Sequence, residues 1–244
     1  MRKILIFCLL LLHGSSFSQL TEYFTEADRP YKDAWELYIK EKYSAARERF
    51  DTYLVSGKGS EHNKMNATFY SAVCSYELWN PDAEERLKNF TEKHPESTKA
   101  PLAWFYLGRH YYRTKKYNQA LPAFEKADVY YLSGDEVPEY YFKTGYCYFN
   151  KGDNDKAARN FHEILNVKSK YQTAAQYYYG HIAYSNNNYK TALEYFSKLD
   201  SSATFGPLVP YYITQMYFDQ GKYKEAIDYA VPVLKNKSPQ NNAE

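Results

Sequence analysis

Histidine and cysteine are the side chains through which this sequence could hold a metal ion or activate a nucleophile. The chain contains six histidines and three cysteines. A zinc site on a helix needs two histidines one turn apart, and no His-x3-His spacing occurs. The pair His162-Glu163 therefore lacks the second histidine of a zinc protease helix. We expect neither a metal site nor a bound cofactor.

The segment Gly57-Lys58-Gly59-Ser60 has the residue types that cradle phosphate groups in nucleotide-binding loops. That motif needs an earlier glycine at position 52, which is Thr52. A Gly-x-Ser-x-Gly nucleophile elbow is also absent from the sequence. We expect a flexible turn over 57–60 and a protein that is not an enzyme.

The N-terminal segment 1–18 has the organisation of a secretory signal peptide. Arg2 and Lys3 precede an apolar run over 4–12, which is too short to span a membrane. Small residues at Ser16 and Ser18 predict cleavage before Gln19. Lipid anchoring is not expected, because a lipoprotein requires its cysteine at the cleavage point.

Charge gives no support for binding to nucleic acid. Without Arg2 and Lys3 the chain has 29 basic residues against 29 acidic ones, so the mature protein is formally neutral. No later apolar run approaches the length of a membrane span. We expect no stable membrane insertion, and association with a membrane only through a partner.

The secondary structure of this chain is indicated by the aromatic segment 104–127, WFYLGRHYYRTKKYNQALPAFEKA. Gly108 and Tyr111 lie on one face of a first helix, and Ala120 and Phe124 lie on one face of a second. Glycine and alanine allow the two helices to approach closely, and the rings fill the space around that contact. The segment predicts a helix-turn-helix unit.

The same spacing recurs along the chain at intervals of 37, 37, 37, 35 and 34 residues. The recurring small residue of the second helix is Ala46, Ala83, Ala120, Ala157, Ala192 and Ala226. Four residues later come Phe50, Leu87, Phe124, Phe161, Phe196 and Ala230. Twelve residues before each alanine come Ala34, Ser71, Gly108, Gly145, Gly180 and Thr214.

These positions fit W-x2-L-G-x2-Y followed by A-x3-F, and the chain resembles the tetratricopeptide repeat family over about residues 22–238. The resemblance implies an all-α protein, a right-handed α-solenoid of about six stacked helix-turn-helix repeats over 19–238. It also implies a scaffold that binds proteins or extended peptides. The expected repeats are approximately 27–61, 64–98, 101–135, 138–171, 173–206 and 207–240, with 239–244 as the start of a further repeat.

A narrower resemblance, over about one repeat, is to the bacterial envelope branch of the family. That branch includes the outer-membrane β-barrel assembly lipoprotein and the Tol–Pal-associated periplasmic protein. It implies a periplasmic or envelope location, with secretion as the alternative. The matching residues are Pro95, Ser97, Ala100, Leu107, Gly108 and Tyr111.

In such arrays the first helices line the concave side, so the resemblance also implies a groove. Positions 2, 5, 9, 12 and 13 of the first helix face it in family structures. The predicted peptide-binding residues are Phe105, Arg109, Tyr112, Arg113, Phe142, Tyr146, Phe149, Tyr177, His181, Tyr184, Tyr211, Gln215 and Phe218.

Three interpretations of these rings remain open. A wall of aromatic side chains suits an extended or proline-rich peptide, and Arg109 and Arg113 would favour an acidic residue or free carboxylate. The rings could instead pack on neighbouring repeats. A carbohydrate or other small ligand could stack on the same helices.

Two cysteines, Cys74 and Cys147, lie on first helices two repeats apart. Neighbouring helices pack about 8–10 Å apart. The two residues are therefore expected to lie beyond the distance of about 7 Å that a disulfide can bridge. We expect two buried free thiols.

Overall fold

The computed structural model describes residues 26–236, so the predicted signal peptide lies outside the described residues. Within this range the chain forms twelve α-helices in six consecutive pairs and no strand. The first helices of the pairs are α1 (Arg29–Ile39), α3 (Glu61–Glu77), α5 (Ala100–Arg113), α7 (Glu136–Lys151), α9 (Gln172–Ser185) and α11 (Val209–Asp219). The second helices are α2 (Tyr43–Ser56), α4 (Ala83–Lys93), α6 (Tyr117–Lys126), α8 (Asn154–His162), α10 (Tyr189–Ser197) and α12 (Tyr223–Asn236).

Side-chain caps set several helix starts. The Ser60 hydroxyl accepts a hydrogen bond from the backbone N–H of Asn63 at 3.2 Å, and the Asp153 carboxylate accepts one from Lys156 at 3.1 Å. Each cap satisfies a backbone donor that has no partner within the helix. Because Ser60 caps α3, this helix begins inside the range expected for the first repeat.

The turn between the two helices of each repeat contains one residue in the left-handed region of backbone conformation. Glycine adopts this conformation without strain, whereas a bulky side chain rarely does. Trp79, with φ of 61°, is therefore the most unusual occupant. The residues at this place are Glu41, Trp79, Lys115, Gly152, Asn187 and Gly221.

The helices form two layers. Each second helix packs against its own first helix, and the second helices from α2 to α10 also pack against the first helix of the following repeat. The first helices also contact one another directly, as α1 does α3, α3 does α5, and α5 does α7. The first helices therefore form the inner layer of a solenoid, which confirms the predicted fold class.

Close approach within a repeat depends on the small residues. The six recurring alanines are all buried, which confirms the predicted spacing. A side chain on the paired glycine would collide with the ring of the second helix, because that ring occupies the space beside the glycine. The distances from an ideal Cβ to the nearest ring carbon are 2.6 Å for Gly108 and Phe124, 2.9 Å for Gly145 and Phe161, and 3.1 Å for Gly180 and Phe196.

The two cysteines on first helices, Cys74 and Cys147, are free and buried, as expected. Burial raises the pKa of each thiol to about 12. Both thiols therefore remain protonated at neutral pH and are poor nucleophiles. In the same part of the chain, residues 26–236, no helix is both long and apolar enough to cross a bilayer.

Candidate functional site: the concave aromatic surface

Two of the rings assigned to the groove are core residues. Phe105 is fully buried, with its ring 6.3 Å from that of Phe124 and 6.4 Å from that of Tyr140 in the next repeat. Phe142 is 9% exposed and stacks on Tyr171 at 5.2 Å. The following repeat covers this position of the first helix, so Phe105 and Phe142 are buried in this structure and do not line an open groove.

The rings of repeats three to five form a continuous cluster. The ring of Tyr146 lies 5.6 Å from Tyr112, 5.4 Å from Tyr117 and 5.3 Å from Tyr178, in each case edge to face. Burial raises the pKa of Tyr178 to about 12. Each ring is half-buried and covers part of its neighbours. Tyr112 and Tyr146 therefore pack against rings of neighbouring helices and are only partly exposed to solvent.

The cluster continues into repeats five and six. Tyr177 stacks on Phe205 at 4.5 Å, and its hydroxyl lies 3.4 Å from that of Tyr212. The ring of His181 lies 5.6 Å from both Phe149 and Tyr212. Burial lowers the pKa of His181, so the imidazole is neutral at neutral pH.

The last first helix, α11, presents the most open rings of the predicted set. Tyr211 is 67% exposed and Phe218 is 56% exposed. Gln215, between them on the same face, donates a hydrogen bond to Asp219 at 2.8 Å. Tyr184 on α9 is half-buried. Tyr211 corresponds in register to Phe105, and its exposure follows because no first helix packs beyond α11 within residues 26–236.

The positive charge of Arg109 is neutralised within the protein. Its Nε donates to Glu139 at 2.8 Å, and its Nη1 lies 3.6 Å from a carboxylate oxygen of Glu77. The guanidinium carbon also lies 5.0 Å from the ring centre of Tyr76 and 4.9 Å from that of Tyr106. Two carboxylates from neighbouring repeats already engage Arg109, so it is not a free cation for an acidic ligand in this structure.

Glu139 also binds Lys143, one turn further along α7. Burial opposes ionisation of Glu139, but Lys143 and Arg109 outweigh burial and lower the pKa of the carboxyl. The three side chains form an ion cluster between repeats three and four, on the inner layer. A buried cluster of this kind fixes the relative position of the repeats.

Arg113 has different surroundings from Arg109. Its Nη1 donates to the carbonyl of Tyr76 at 3.0 Å, and its guanidinium carbon lies 4.1 Å from the Tyr76 ring centre and 3.8 Å from that of Trp79. Among the described residues no carboxylate lies within 4 Å of it, and its Nε is buried without a hydrogen-bond partner. Trp79 is 70% exposed. Arg113 is thus a cation held between two rings, one of them open to solvent.

Sequence reasoning missed Trp79, because it lies in a turn and outside the helical positions that face a groove. It also missed a polar network between repeats one and two. There the Ser71 hydroxyl donates to Asp51 at 2.6 Å, and Arg86 Nη1 donates to Asp51 at 2.9 Å. Arg86 and Arg47 both donate to Asp82, at 2.7 and 3.1 Å. The network pairs two arginines with two aspartates and joins the repeats.

The segment 57–60 does not hold a phosphate. The buried carboxylate of Asp28 accepts hydrogen bonds from the Ser60 N–H at 3.0 Å and from the Tyr53 hydroxyl at 2.5 Å. Gly59 has φ of 91°, and a Cβ there would lie 2.1 Å from the Tyr53 hydroxyl. The Asp28 carboxylate already occupies the space inside the loop. Its hydrogen bonds hold the loop in one position, so 57–60 does not form the flexible turn that we expected. Over residues 26–236, no group of three or more histidine, cysteine or acidic side chains is arranged to hold a metal ion.

Comparison with known proteins agrees with this architecture. Two family models described as tetratricopeptide repeat match the sequence, one over residues 101–127 and one over residues 142–207. These matches lie in the third, fourth and fifth helix pairs of the solenoid. No curated protein sequence matches it significantly.

Solved tetratricopeptide and related structures share the fold at low sequence identity. A tetratricopeptide repeat protein from Parabacteroides merdae is 16% identical, with a TM-score of 0.55 over 87% of this chain and 80% of that one. MamA from Desulfovibrio magneticus RS-1 is 14% identical, with a TM-score of 0.55 over 72% of this chain and 94% of its own. MamA of strain AMB-1 is 16% identical, with a TM-score of 0.57 over 72% of this chain and 93% of that one. These likenesses show the fold alone.

The solvent-exposed part of the inner surface is smaller than the predicted groove. Of the predicted rings in repeats three and four, Tyr112, Tyr146 and Phe149 are half-buried. The most exposed rings are Trp79, which lies over the half-buried Arg113 between repeats two and three, and Tyr211 and Phe218 on α11.

Proposed function

We propose that this chain is an exported, non-catalytic tetratricopeptide scaffold that binds an extended segment of a partner protein on its inner surface. The observation that carries the proposal is the contrast between two arginines one helical turn apart. Arg109 is engaged by Glu139 and Glu77, whereas Arg113 stacks on the exposed ring of Trp79 and has no carboxylate partner in the described chain.

The chemistry at Arg113 suits a carboxylate. The guanidinium uses Nη1 for the Tyr76 carbonyl, so Nη2 remains to donate to an incoming acidic group, and charge-assisted hydrogen bonds of this type are among the strongest in proteins. The rings of Tyr76 and Trp79 hold the guanidinium plane in place, which reduces the entropy lost on binding. Trp79 also presents an apolar face to a neighbouring peptide side chain. The preferred ligand is a segment with one acidic residue, or a free carboxylate, beside an apolar residue.

The half-buried rings along the inner surface would extend this site. Tyr112 on α5 and Tyr146 and Phe149 on α7 are each half-buried, and the two tyrosines carry hydroxyl groups that suit the backbone amides of an extended peptide. These rings are already fixed by mutual packing, so binding would require little rearrangement. These rings would contribute shape complementarity to the interface, and Trp79 and Arg113 would contribute most of the binding energy.

Export and an envelope location are part of the proposal. They rest on the basic, apolar and small-residue segments of 1–18 and on the Pro95 to Tyr111 resemblance to envelope proteins. Intact mass of the protein from a cell-envelope fraction should show Gln19 as the first residue. A chain that retains residues 1–18 in that fraction would contradict this part of the proposal.

The binding site is tested by capture of partners from envelope extract with the immobilised mature chain. Trp79→Ala and Arg113→Gln should each reduce recovery of the captured protein about tenfold or more, with melting temperatures close to that of the unaltered chain. Arg159→Gln is the matched control, because Arg159 is exposed on a second helix. Equal recovery by all variants would place the site elsewhere, and loss with the Arg159 variant would mean that bulk charge drives capture.

A further inference from the structure

The half-buried lysine and arginine side chains of residues 26–236 fall into two groups. Those of the first group have a carboxylate oxygen within 4 Å and are Arg47, Lys64, Arg86, Lys88, Arg109 and Lys143. The second group consists of Lys99 and Arg113, which have no carboxylate within that distance in the described part of the chain. A partly buried cation without an opposite charge is unfavourable, so these two residues are the ones that a ligand can neutralise.

Lys99 immediately precedes α5, and its ammonium group rests on rings of repeat two. The Lys99 Nζ lies 5.4 Å from the ring centre of Tyr70 and 5.9 Å from that of Phe69. Burial lowers the pKa of Lys99. Lys99 is therefore a cation held on two rings of α3, much as Arg113 is held on the rings of Tyr76 and Trp79.

The two cations stand at opposite ends of α5 and both lean on repeat two. Lys99 and Arg113 are fourteen residues apart, which is about 21 Å along a helix axis. The rings that they contact are closer, because Tyr70 and Tyr76 are six residues apart on α3, or about 9 Å. The cationic groups are therefore about 9–21 Å apart, a distance that an extended chain spans in about three to six residues.

No further free cation lies between them on α5. Arg109 is already engaged by Glu139 and Glu77. The Glu77 carboxylate is partly exposed and would repel an acidic group brought to this place. The part of a ligand that lies between the two cations is therefore expected to be uncharged.

We propose that the segment bound by this scaffold carries two acidic residues about three to six positions apart, one paired with Arg113 and the other with Lys99. The inference rests on the proposed function, because Arg113 is the contact common to both. It adds a second contact and a direction, since this part of the segment lies along α3 and α5. Each carboxylate neutralises one partly buried cation, so a segment with a single acidic residue leaves the other cation unpaired.

The test uses the mature chain and fluorescently labelled synthetic peptides of glycine, serine and leucine that contain one or two aspartates. The two aspartates are placed from two to eight positions apart, and binding is measured by fluorescence anisotropy. We expect the tightest binding at a separation of about three to six positions, about tenfold tighter than that of the single-aspartate peptide. Lys99→Gln should remove this gain and leave binding of the single-aspartate peptide unchanged, whereas Arg113→Gln should weaken the binding of both peptides.

Lys126→Gln is the matched control. Lys126 also lies over a ring, 4.2 Å from the ring centre of Trp104, but it is exposed on α6, so its replacement should leave the gain intact. Lys99→Arg keeps the positive charge and should also keep the gain. Circular dichroism shows whether each variant retains its helices.

The outcomes separate this inference from the proposed function. If Arg113→Gln weakens binding of the single-aspartate peptide but a second aspartate adds nothing at any separation, the inference is wrong and the proposed function stands. A gain that persists in a folded Lys99→Gln protein, or that does not depend on the separation of the aspartates, would also overturn the inference. If no peptide binds at millimolar concentration, or if Arg113→Gln and Trp79→Ala leave binding unchanged, both the inference and the proposed function are contradicted.

Discussion

Gly108 on α5 lies against the ring of Phe124 on α6, with less space for a side chain than at Gly145 or Gly180, the equivalent glycines of repeats four and five. A Cβ at position 108 would lie 2.6 Å from two ring carbons, which is closer than carbon atoms can approach without displacement. Phe124 is fully buried, so its ring has little room to move. This contact sets the distance between the helices of the third repeat.

Replacement of Gly108 by alanine should therefore destabilise the protein. The added methyl group forces either the ring of Phe124 or the helix to shift, and overpacking of this kind costs about 1–3 kcal/mol. Alanine is the better helix former by about 1 kcal/mol, which offsets part of this cost, so we expect a net loss of up to about 2 kcal/mol. Urea unfolding followed by circular dichroism measures the change.

Gly180→Ala is the control, because it makes the same substitution at a position with more space. Its Cβ would lie 3.1 Å from the nearest carbon of Phe196, so a small movement of the ring can accommodate it. We expect this variant to lose less stability than Gly108→Ala. A Gly108→Ala protein as stable as the unaltered chain would show that the helices of repeat three can separate at little cost.

The position of Tyr146 predicts a structural role. Its ring touches those of Tyr112, Tyr117 and Tyr178, which come from two first helices and one second helix. Tyr146→Ala would leave a cavity between three repeats, and we expect a loss of about 2–3 kcal/mol for this half-buried ring. Thermal unfolding measures the effect.

Tyr211→Ala is the matched control, because Tyr211 lies at an inner-layer position but is 67% exposed. Its replacement should change the free energy of unfolding of the monomer by about 0.5 kcal/mol or less. If Tyr146→Ala melts at the same temperature as Tyr211→Ala, the cluster does not stabilise the array and its rings are available for a ligand.

The contacts of Glu84 predict that the stability of the folded protein depends on pH. Its carboxylate accepts hydrogen bonds from Lys88 at 2.7 Å, from Tyr111 at 3.1 Å and from Lys116 at 3.1 Å, the last two in repeat three. Lys88 is the main cause that lowers the pKa of Glu84 to about 2, with Lys116 and Tyr111 adding to the effect despite partial burial. The ionised form is therefore favoured in the folded protein.

A carboxyl whose pKa is lower in the folded state stabilises the fold above its ordinary value of 4.5, and that contribution is lost as the pH falls towards about 2. Glu84→Gln should lower the melting temperature at neutral pH by about 2 °C. It should also flatten the fall in melting temperature on acidification below pH 4.5. Glu96→Gln, at an exposed position between α4 and α5, should leave the profile unchanged. Identical profiles for both variants would contradict the role of Glu84.

Much of the fold could be predicted because tetratricopeptide packing is local. Each helix pair buries a small residue against a ring at a fixed separation, as Gly145 does against Phe161, and that spacing is visible in the sequence. The candidate site could be predicted only in part. Positions such as Phe105 and Arg109 point to the inner layer, but the sequence does not reveal whether the next repeat covers a ring or supplies a carboxylate.

The sequence by itself determined the repeat period, the buried alanines and the free thiols of Cys74 and Cys147, since these follow from helical spacing and stacking distance. Only the tertiary structure decided which inner-layer groups remain open. Arg109 meets Glu139 thirty residues later in the chain, whereas Arg113 meets the turn residue Trp79 from the preceding repeat. Such pairings depend on the angle between stacked repeats, and that angle results from the sum of many side-chain contacts, no single one of which is marked by a motif.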